Sequence, residues 1–489
     1  MRRRAPKILV LALDIGSSST RSALFDEKAR LMGGTDARRE YAVEYSADGA
    51  AEISPYRLLT AVRACLRETL RERRSPPLSR IPIIGVGASA FWHSLLGLDG
   101  AGRPLTSIFT WADSRSSPDA RALREEFDEP KIQAETGCML RASFWPAKLR
   151  WLRRTNRPLF RNVAHWVSPA DWVFEEIFGA GPSSYSMASG TGLYDLRTKS
   201  WHAPLCEACG LRLQTLGAIA NTSGNPSSVS GLECAEVFAP IGDGAAGNLG
   251  CGADIHGRIA MNLGTSAAVR MLENRRASRS TIPFGLFRYA VDGDRTVMGG
   301  AVSNAGNLRR WGERELRIIG AEQNILNRKV AANDKLVVLP FWVAERAPTW
   351  PEELRGTIFG VTQSTTAAEI FRATTCAVFY RLAEILARIE KGRGRATEII
   401  VSGGVAHSAA TLALLADALG RDLRVSGERE ASLRGGAVYV LEKLGYKGGR
   451  PANVKVVRHD RRLVEKHQAR RTRQASLEST LSRSVQKLI

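Results

Sequence analysis

Two short segments of the chain resemble each other across an offset of 248 residues. Residues 11–25 (LALDIGSSSTRSALF) and residues 259–273 (IAMNLGTSAAVRMLE) each consist of an apolar run, a turn rich in Gly, Ser and Thr, and a second run. Such a pattern predicts a β-hairpin, whereas a Walker loop leads from a strand into a helix. The two copies lie near the starts of the two halves of the chain, so the repeat predicts a duplicated domain.

Strand-like and helix-like segments alternate after each predicted hairpin. IPIIGVGAS and TEIIVSGG have the pattern of strands, whereas PDARALREEFDEP and TTAAEIFRATTCAVFYRLAEILARIEK have the pattern of helices. The alternation predicts an α/β fold, and 489 residues allow two lobes facing each other across a cleft. We predict an N-terminal domain over residues 1–256, a C-terminal domain over residues 257–446, and a basic C-terminal extension over residues 447–489.

Cysteine usage and hydropathy indicate a cytoplasmic protein that is not embedded in a membrane. Seven scattered cysteines are too few for a disulfide framework in a chain of 489 residues. Cys206 and Cys209 form a CxxC without a second pair, so ordinary packing is favoured over a zinc or redox site. The apolar runs are strand-sized and fall short of the roughly 20 residues of a membrane helix. Asp14 interrupts the apolar N-terminal run, which favours a first strand over a signal peptide.

The formal net charge of +21 raises nucleic acid as a partner. From residue 445 onward, twelve Lys and Arg residues oppose three Asp and Glu residues. The remaining excess is spread over helix-like stretches, and no nucleic-acid-binding module accompanies it. A solvated basic face, or attraction of anionic substrates, is therefore favoured over a nucleic-acid partner.

Both small-residue turns suit phosphate binding, because backbone N–H groups approach phosphate oxygens closely where side chains are small, and hydroxyls add donors. The candidates in the first turn are Asp14, Gly16, Ser17, Ser18 and Thr20, and those in the second turn are Gly264, Thr265 and Ser266. Asp14 would also organise Mg²⁺, which takes carboxylate and water ligands around the phosphates of a nucleotide.

A third glycine-rich segment, residues 241–250 (IGDGAAGNLG), contains Asp243. By itself, Gly-Asp-Gly also suits an Asx-turn or a helix N-cap. Together with the two turns, the segment resembles the FGGY carbohydrate kinases of the actin, Hsp70 and hexokinase ATPase superfamily. The resemblance extends to about Gly445. It implies two actin-like (ribonuclease H-like) ATPase domains facing a central cleft, with ATP and Mg²⁺ as cofactors and Asp243 as general base.

A base is needed because a sugar hydroxyl is a poor nucleophile, and its proton must leave as the bond to the γ-phosphorus forms. The resemblance assigns this role to Asp243, which would contact the sugar and, through water, share Mg²⁺ with Asp14.

The nucleotide's adenosine is implied to bind at residues 397–420, a strand, a Gly-Gly turn and a helix that resemble the adenosine motif of the family. Gly403, Gly404 and His407 are the candidate contacts, because glycine leaves room for a flat base. Gly435 and Gly436 are expected to begin the next helix and to pack behind the nucleotide. Ala413 and His407 depart from the family pattern, so the individual adenine contacts stay open.

Two segments resemble parts of the family that line the sugar site. They are residues 87–95 (GASAFWHSL) and residues 110–115 (TWADSR), of which the second is similar to gluconokinases, as are residues 301–311 and 345–348. Aromatic faces pack on sugar C–H groups, and polar side chains bind hydroxyls. The candidate substrate contacts are His93, Trp111, Asp113, Arg115 and Asp243. Arg115 or His93 could also neutralise the carboxylate of an acid sugar.

The resemblance therefore implies a kinase that transfers the γ-phosphate of Mg-ATP to a small sugar or sugar acid, with D-gluconate as the preferred acceptor and 6-phosphogluconate as product. One alternative is a kinase for xylulose, ribulose or glycerol. Another is a catalytically silent nucleotide-binding regulator whose basic tail binds nucleic acid. The oligomeric state stays open, with a homodimer among the states considered.

Overall fold

The computed structural model describes residues 6–179, 181, 183–220, 223–224, 229–274, 280–404, 408–451 and 453–486. The strands of the first half are β1 (Leu9–Ile15), β2 (Ser19–Asp26), β3 (Ala37–Glu40), β4 (Glu44–Tyr45), β5 (Ala51–Ile53), β6 (Ile83–Ala90), β7 (Leu96–Leu98), β8 (Ile108–Phe109), β9 (His165–Val167), β10 (Tyr194–Asp195), β11 (Ser200–Trp201), β12 (Ser223–Gly224), β13 (Glu236–Phe238) and β14 (Ile241–Gly242). Its helices are α1 (Pro55–Glu72), α2 (Ser117–Glu126), α3 (Glu129–Thr136), α4 (Trp145–Thr155), α5 (Arg157–Asn162), α6 (Pro169–Phe178), α7 (Tyr185–Ser189), α8 (Ala203–Ala208) and α9 (Asp243–Cys251).

The second half contains fewer and longer elements. Its strands are β15 (Arg258–Leu263), β16 (Ala267–Glu273), β17 (Phe287–Ala290), β18 (Thr296–Val302), β19 (Val337–Leu339), β20 (Thr357–Phe359), β21 (Glu398–Ser402), β22 (Leu423–Ser426) and β23 (Asn453–Val457). Its helices are α10 (Gly306–Glu315), α11 (Glu322–Ile325), α12 (Ala367–Glu390), α13 (Ala409–Leu419), α14 (Ala431–Lys443) and α15 (Arg461–Gln486).

Two mixed sheets, each built around one of the predicted hairpins, form the centres of the two lobes. The first has the order β12-β13-β6-β1-β2-β3, with β14 also pairing with β6, and the second has the order β17-β18-β16-β15-β21-β22-β23. In both sheets the first hairpin strand pairs antiparallel with the second and parallel with a later strand, β6 or β21. The α/β fold class and the two hairpins are therefore confirmed.

Local sequence explains why these elements form where they do. All seven residues of β1 are buried, as expected of a continuous apolar run in the middle of a sheet. The long helix α12 begins at a capping box in which the Thr366 side chain accepts from Glu369 N–H, and the Glu369 carboxylate accepts from Thr366 N–H. The strand and helix patterns noted in the sequence correspond to β6, β21, α2 and α12.

The helix α14 departs from the sequence-based division, because it follows the second sheet in sequence but packs on the first. Its side chains, including Val440, join the hydrophobic core around β1 and β6. A β-carbon added at Gly85 or Gly87 of β6 would lie 2.5 Å from Val440, so glycines in the strand make room for the helix. A boundary at residue 256 thus separates the two hairpins but not the two cores.

Glycines also allow α14 to lie directly against α9. A β-carbon at Gly250 would lie 1.7 Å from the Ala431 carbonyl oxygen, and one at Gly435 would lie 1.8 Å from the Ala246 carbonyl oxygen. The expectation that Gly435 and Gly436 begin this helix is wrong, because α14 begins at Ala431. Gly435 instead serves the close approach of the two helices.

The basic C-terminal segment is folded onto the second lobe. The strand β23 pairs antiparallel with β22 at the sheet edge. On α15, the Glu478 carboxylate accepts from Arg381 at 2.6 Å, and His467 Nδ1 lies 2.9 Å from the Tyr380 hydroxyl. The segment from residue 453 to residue 486 is therefore an integral layer of the lobe.

The cysteines are all unpaired, and Cys206 and Cys209 are buried. Within the described ranges no cluster of three or more His, Cys, Asp or Glu residues could hold a metal. No helix in the part of the chain described is long and apolar enough to cross a bilayer.

The glycine contact between the two helices gives a test of the packing. We expect Gly435→Ala to destabilise the protein by about 1–3 kcal/mol, because the added methyl would overlap the Ala246 carbonyl. Gly436→Ala is the matched control, since its β-carbon would lie no closer than 3.4 Å to a neighbouring atom. Urea unfolding midpoints would measure both variants. Equal midpoints would contradict the packing argument.

Candidate active site

The carboxyl end of β6 brings together two aspartates that are far apart in sequence. Ser89 of β6 is in register with Asp14 of β1 on one side and with Ile241 of β14 on the other. Asp243 follows β14 directly and is the first residue of α9. Because parallel strands end at the same edge of a sheet, Asp14 and Asp243 flank the end of β6, and their charges interact.

Asp14 is a buried carboxylate that forms an ion pair with Arg21. Arg21 Nη1 donates to Asp14 Oδ2 at 3.3 Å and also lies 2.9 Å from Glu430 Oε2. Burial raises the pKa of Asp14 to about 6, while the neighbouring Ser89 hydroxyl and the Arg21 charge act in the opposite direction. Sequence reasoning missed Arg21, although the hairpin pairing sets it opposite Asp14.

Asp243 is open to solvent at the N-terminus of α9, after the extended residue Gly242. Gly244 N–H donates to Asp243 Oδ1 at 2.7 Å. Although water reaches the carboxylate, the protein around it desolvates it and raises its pKa above the usual aspartate range, and the Arg270 charge partly offsets this. A partly desolvated carboxylate in a cleft is suited to accept a proton.

The first predicted phosphate turn is accessible at its tip but not at its base. Gly16 N–H donates to the Ser19 carbonyl at 3.0 Å, and the Tyr41 hydroxyl donates to the Gly16 carbonyl. Ser17 is half-buried and Ser18 is exposed, so both can meet a ligand. Thr20 is fully buried, and its hydroxyl has no partner within the part of the chain described. The structure therefore does not present Thr20 to a ligand.

The second phosphate turn, residues 264–266, contacts the start of α10. Gly264 N–H donates to the Ser266 carbonyl at 2.9 Å, and Arg310 Nη2 donates to the exposed Thr265 hydroxyl at 3.2 Å. Gly306 N–H in turn donates to the Gly264 carbonyl at 3.0 Å. Backbone donors and a guanidinium therefore surround this turn.

The glycine pair of the predicted adenosine motif lies beside the second turn. Gly403 has φ +92°, and a β-carbon there would lie 2.5 Å from the Leu263 carbonyl oxygen, so glycine is required. At Gly404 the nearest atom would be 4.0 Å away, which leaves open space. His407 lies outside the described residues.

His93 lies in an aromatic pocket and is held in one orientation. Its φ of 69° is unusual for a side chain of this size, and its Nδ1 lies 2.5 Å from the Gly190 carbonyl oxygen. The Phe144 and Tyr289 rings pack against it with centroid distances of 4.8 and 5.3 Å. Burial lowers the pKa of His93 to about 3, so the ring is neutral near pH 7.

The segment around Trp111 contributes a half-buried aromatic ring and an ion pair between Asp113 and Arg115. The Arg346 guanidinium carbon lies 5.3 Å from the Trp111 ring centroid. Asp113 is buried and bonded to Arg115, which also bonds Glu52 and stacks on Trp151 at 4.5 Å. Two carboxylates already compensate Arg115, and His93 is neutral. Arg115 and His93 therefore do not supply the positive charge that the sequence suggested for neutralising a sugar carboxylate.

Two other arginines carry positive charge next to the general-base candidate. Arg270 of β16 and Arg346, in the loop before β20, both interact electrostatically with Asp243 and act to lower its pKa. Neither forms an ion pair with a carboxylate among the residues that the structure describes. Both come from the second lobe, whereas Asp14 and Trp111 come from the first. The cleft between the lobes thus contains two carboxylates, two guanidiniums and an aromatic wall, which consists of Trp92, His93, Phe144 and Tyr289.

The carboxylates of the cleft fit a divalent cation. Mg²⁺ at nucleotide sites takes one or two carboxylates and completes its shell with water and phosphate oxygens. Asp14 and Asp243 provide two carboxylates on one sheet edge, and their mutual repulsion would be relieved by a cation between them.

Two lobes of this topology, with a hairpin turn from each lobe and paired aspartates at the cleft, define an actin-like ATPase fold. The N-terminal domain model of the FGGY family of carbohydrate kinases matches residues 9–231, and the C-terminal domain model matches residues 259–441. The chain belongs to the FGGY family of carbohydrate kinases. It is accordingly a phosphotransferase that acts on an alcohol group of a small carbohydrate, and kinases of this kind use ATP.

Curated relatives differ in their acceptors. The gluconokinase of Bacillus subtilis (strain 168) is 27% identical over 462 residues, which cover 89% of this chain and 88% of that protein. The glycerol kinase of Acidovorax ebreus (strain TPSY) is 27% identical over 438 residues, which cover 84% of this chain and 85% of that protein. Family membership therefore leaves the acceptor unassigned.

Solved structures show the same fold. A gluconate kinase from Lactobacillus acidophilus superposes with a TM-score of 0.88 at 21% identity, covering 98% of this chain and 99% of that one. A xylulose kinase from the same organism superposes with a TM-score of 0.90 at 21% identity, covering 98% and 100%. Because the high coverage includes the C-terminal segment, that segment belongs to the shared fold.

The neutral state of His93 has a consequence for acid stability. Its pKa is lowered from 6.5 to about 3, so the unfolded chain binds more protons in that interval and stability falls as the pH decreases through it. We expect His93→Asn to reduce this loss, by at most about 1.4 kcal/mol per pH unit, because Asn does not titrate and tolerates a positive φ.

Denaturant unfolding of the variant between pH 7 and pH 4 would measure the effect. The exposed His165, changed to Asn, is the control for removal of a histidine side chain. Identical pH dependence of His93→Asn and wild type would show that the folded protein protonates His93 as easily as the unfolded chain does.

Proposed function

We propose that this protein transfers the γ-phosphoryl group of Mg-ATP to the 6-hydroxyl of D-gluconate. The observation that carries the proposal is the position of Asp243, which is accessible in the cleft and lies on one sheet edge with Asp14. The phosphate turns of the two lobes and the aromatic wall at Trp92 and His93 complete the surroundings that such a transfer needs.

In the proposed mechanism, Asp243 is the catalytic base. The acceptor hydroxyl oxygen attacks the γ-phosphorus, the bond from that phosphorus to the leaving oxygen of ADP breaks, and the hydroxyl proton moves to the Asp243 carboxylate. Its raised pKa makes Asp243 a better proton acceptor than an ordinary aspartate. Arg21 keeps the Asp14 carboxylate in place at the edge of the sheet.

The remaining residues act by binding and positioning. Backbone and hydroxyl groups at Gly16, Ser17 and Ser18 from one lobe, and at residues 264–266 from the other, would hold the phosphates in line. Asp14, with Asp243 through water, would hold Mg²⁺, which supplies neutralisation of the phosphate charge when bound. Gly403 and Gly404 would receive the adenosine. Approach of the lobes would exclude water and so suppress hydrolysis of ATP.

The choice of D-gluconate rests on the charge of the acceptor side and on the relatives. Arg270 and Arg346 add positive charge beside Asp243 without a carboxylate partner in the described parts of the chain, which suits an anionic acceptor. The gluconokinase of B. subtilis covers most of the chain. A neutral polyol is the second candidate, because glycerol kinases match at similar identity. We place the reaction in the cytoplasm, where the seven unpaired cysteines would stay reduced.

Replacement of the base tests the reaction. We expect Asp243→Asn to lower turnover on D-gluconate by about 10²–10⁴-fold, the range for loss of a general base, with ATP binding retained. ADP release would be measured with D-gluconate, D-xylulose, D-ribulose and glycerol. Asp36→Asn is the control, because Asp36 is an exposed loop residue in the first lobe. ADP release independent of every sugar would contradict the kinase mechanism, and a preference for a neutral sugar would replace the acceptor.

A further inference from the structure

Arg270 is a positively charged side chain that has no hydrogen-bond or ion-pair partner within the described ranges of the chain. It is half-buried on β16, and its Nε is buried without a hydrogen bond. None of its side-chain nitrogens has a hydrogen-bond or ion-pair partner among the described residues. Burying part of a guanidinium without an anion costs free energy. A partner that arrives with a ligand would recover this cost.

The second arginine of the cleft is held differently. Arg346 Nε donates to the Ser303 hydroxyl at 3.1 Å, Arg346 Nη2 donates to the Val302 carbonyl at 3.3 Å, and the guanidinium lies over Trp111. These contacts hold the Arg346 side chain against the protein. Both guanidinium charges lack a carboxylate partner among the described residues, but Arg270 is the one whose N–H donors are not already used in hydrogen bonds there.

Arg270 faces the acceptor side of the cleft. A β-carbon added at Gly244, the residue after Asp243, would lie 2.8 Å from both Arg270 Nε and Trp92 Cζ3. The Trp92 ring in turn packs against Tyr289 with centroids 4.8 Å apart. The guanidinium therefore lies at the start of α9, where that helix meets the aromatic wall.

Distance along the strand separates Arg270 from the phosphate turn. Arg270 of β16 lies four residues beyond Ser266, which corresponds to about 13 Å of extended strand. A side chain so placed serves the acceptor pocket and not the phosphates at the turn. Arg270 also interacts electrostatically with Asp243 without forming an ion pair with it.

We propose that Arg270 binds the carboxylate of the acceptor and is the residue that selects a sugar acid over a neutral sugar. The inference rests on the proposed function. In D-gluconate the C1 carboxylate and the C6 hydroxyl are at opposite ends of an open chain, so one molecule can contact Arg270 and Asp243 together. A guanidinium matches a carboxylate with two parallel N–H donors, and the aromatic wall excludes water from the pair.

D-gluconamide is the probe that isolates this contact, because it keeps every hydroxyl of D-gluconate and replaces only the carboxylate with a neutral amide. We expect the wild type to prefer D-gluconate in kcat/KM by about 10- to 100-fold, the range for a hydrogen-bonded charge. Arg270→Met should remove most of that preference by lowering kcat/KM for D-gluconate alone. Arg270→Lys should retain part of it, because the charge remains but the two-pronged geometry is lost.

The ratio of the two substrates is measured on one enzyme preparation, so it does not depend on how much of a variant is folded. Arg346→Met should lower activity on both substrates alike. Arg424→Met is the control for loss of an arginine, since Arg424 is a surface residue of β22 paired with Glu398, and it should keep the wild-type ratio.

Two results would overturn the inference. An equal loss of kcat/KM on both substrates in Arg270→Met would show that Arg270 acts through Asp243 or the phosphates. Loss of the preference in Arg346→Met but not in Arg270→Met would assign the carboxylate to the other arginine. Failure of the proposed function looks different, because wild-type enzyme would then phosphorylate another sugar and neither of these two.

Discussion

The contact between α9 and α14 is the constraint on which the site depends. The two helices carry the chain between the lobes in opposite directions, with α14 packed on β1 and β6 and α9 packed against β15 and β16. Glycines at their crossing let the backbones touch. Because Asp243 is the first residue of α9, this contact sets the distance between the base and both phosphate turns. A larger residue at the crossing would move the base relative to the turns.

Local motifs in the sequence predicted the elements that carry the chemistry. The hairpin turns at Gly16 and Gly264 and the Gly-Asp-Gly at Asp243 are each encoded by a few neighbouring residues, and so is the capped helix α12. The α/β class follows from the same short-range patterns. Asp14 and Asp243 were recognised individually, although it is the register of β6 that brings them together.

The features that the sequence did not reveal depend on long-range packing. The basic C-terminal segment has the composition of a solvated tail, yet α15 buries His467 and Glu478 against α12. The sequence marks Arg115 as a substrate contact, but the fold supplies Asp113 and Glu52 as its partners. Arg270 belongs to a segment with an ordinary strand pattern. Only the folded structure shows that its guanidinium has no carboxylate partner among the described residues. Pairing of charges is a property of the fold that no single segment encodes.

The return of α14 to the first lobe also has a consequence for the order in which the protein folds. The side chains that complete the first core, among them Leu433 and Val440, are made only after nearly all of the second lobe. During synthesis, the face of the first sheet at Gly85 and Gly87 therefore stays uncovered until the ribosome has made most of the second lobe. Its closing contacts span more than 300 residues of chain, a topology that slows folding and prolongs exposure of apolar surface. The helix that ties the two lobes into one enzyme thus makes the first lobe dependent on the second for its own completion.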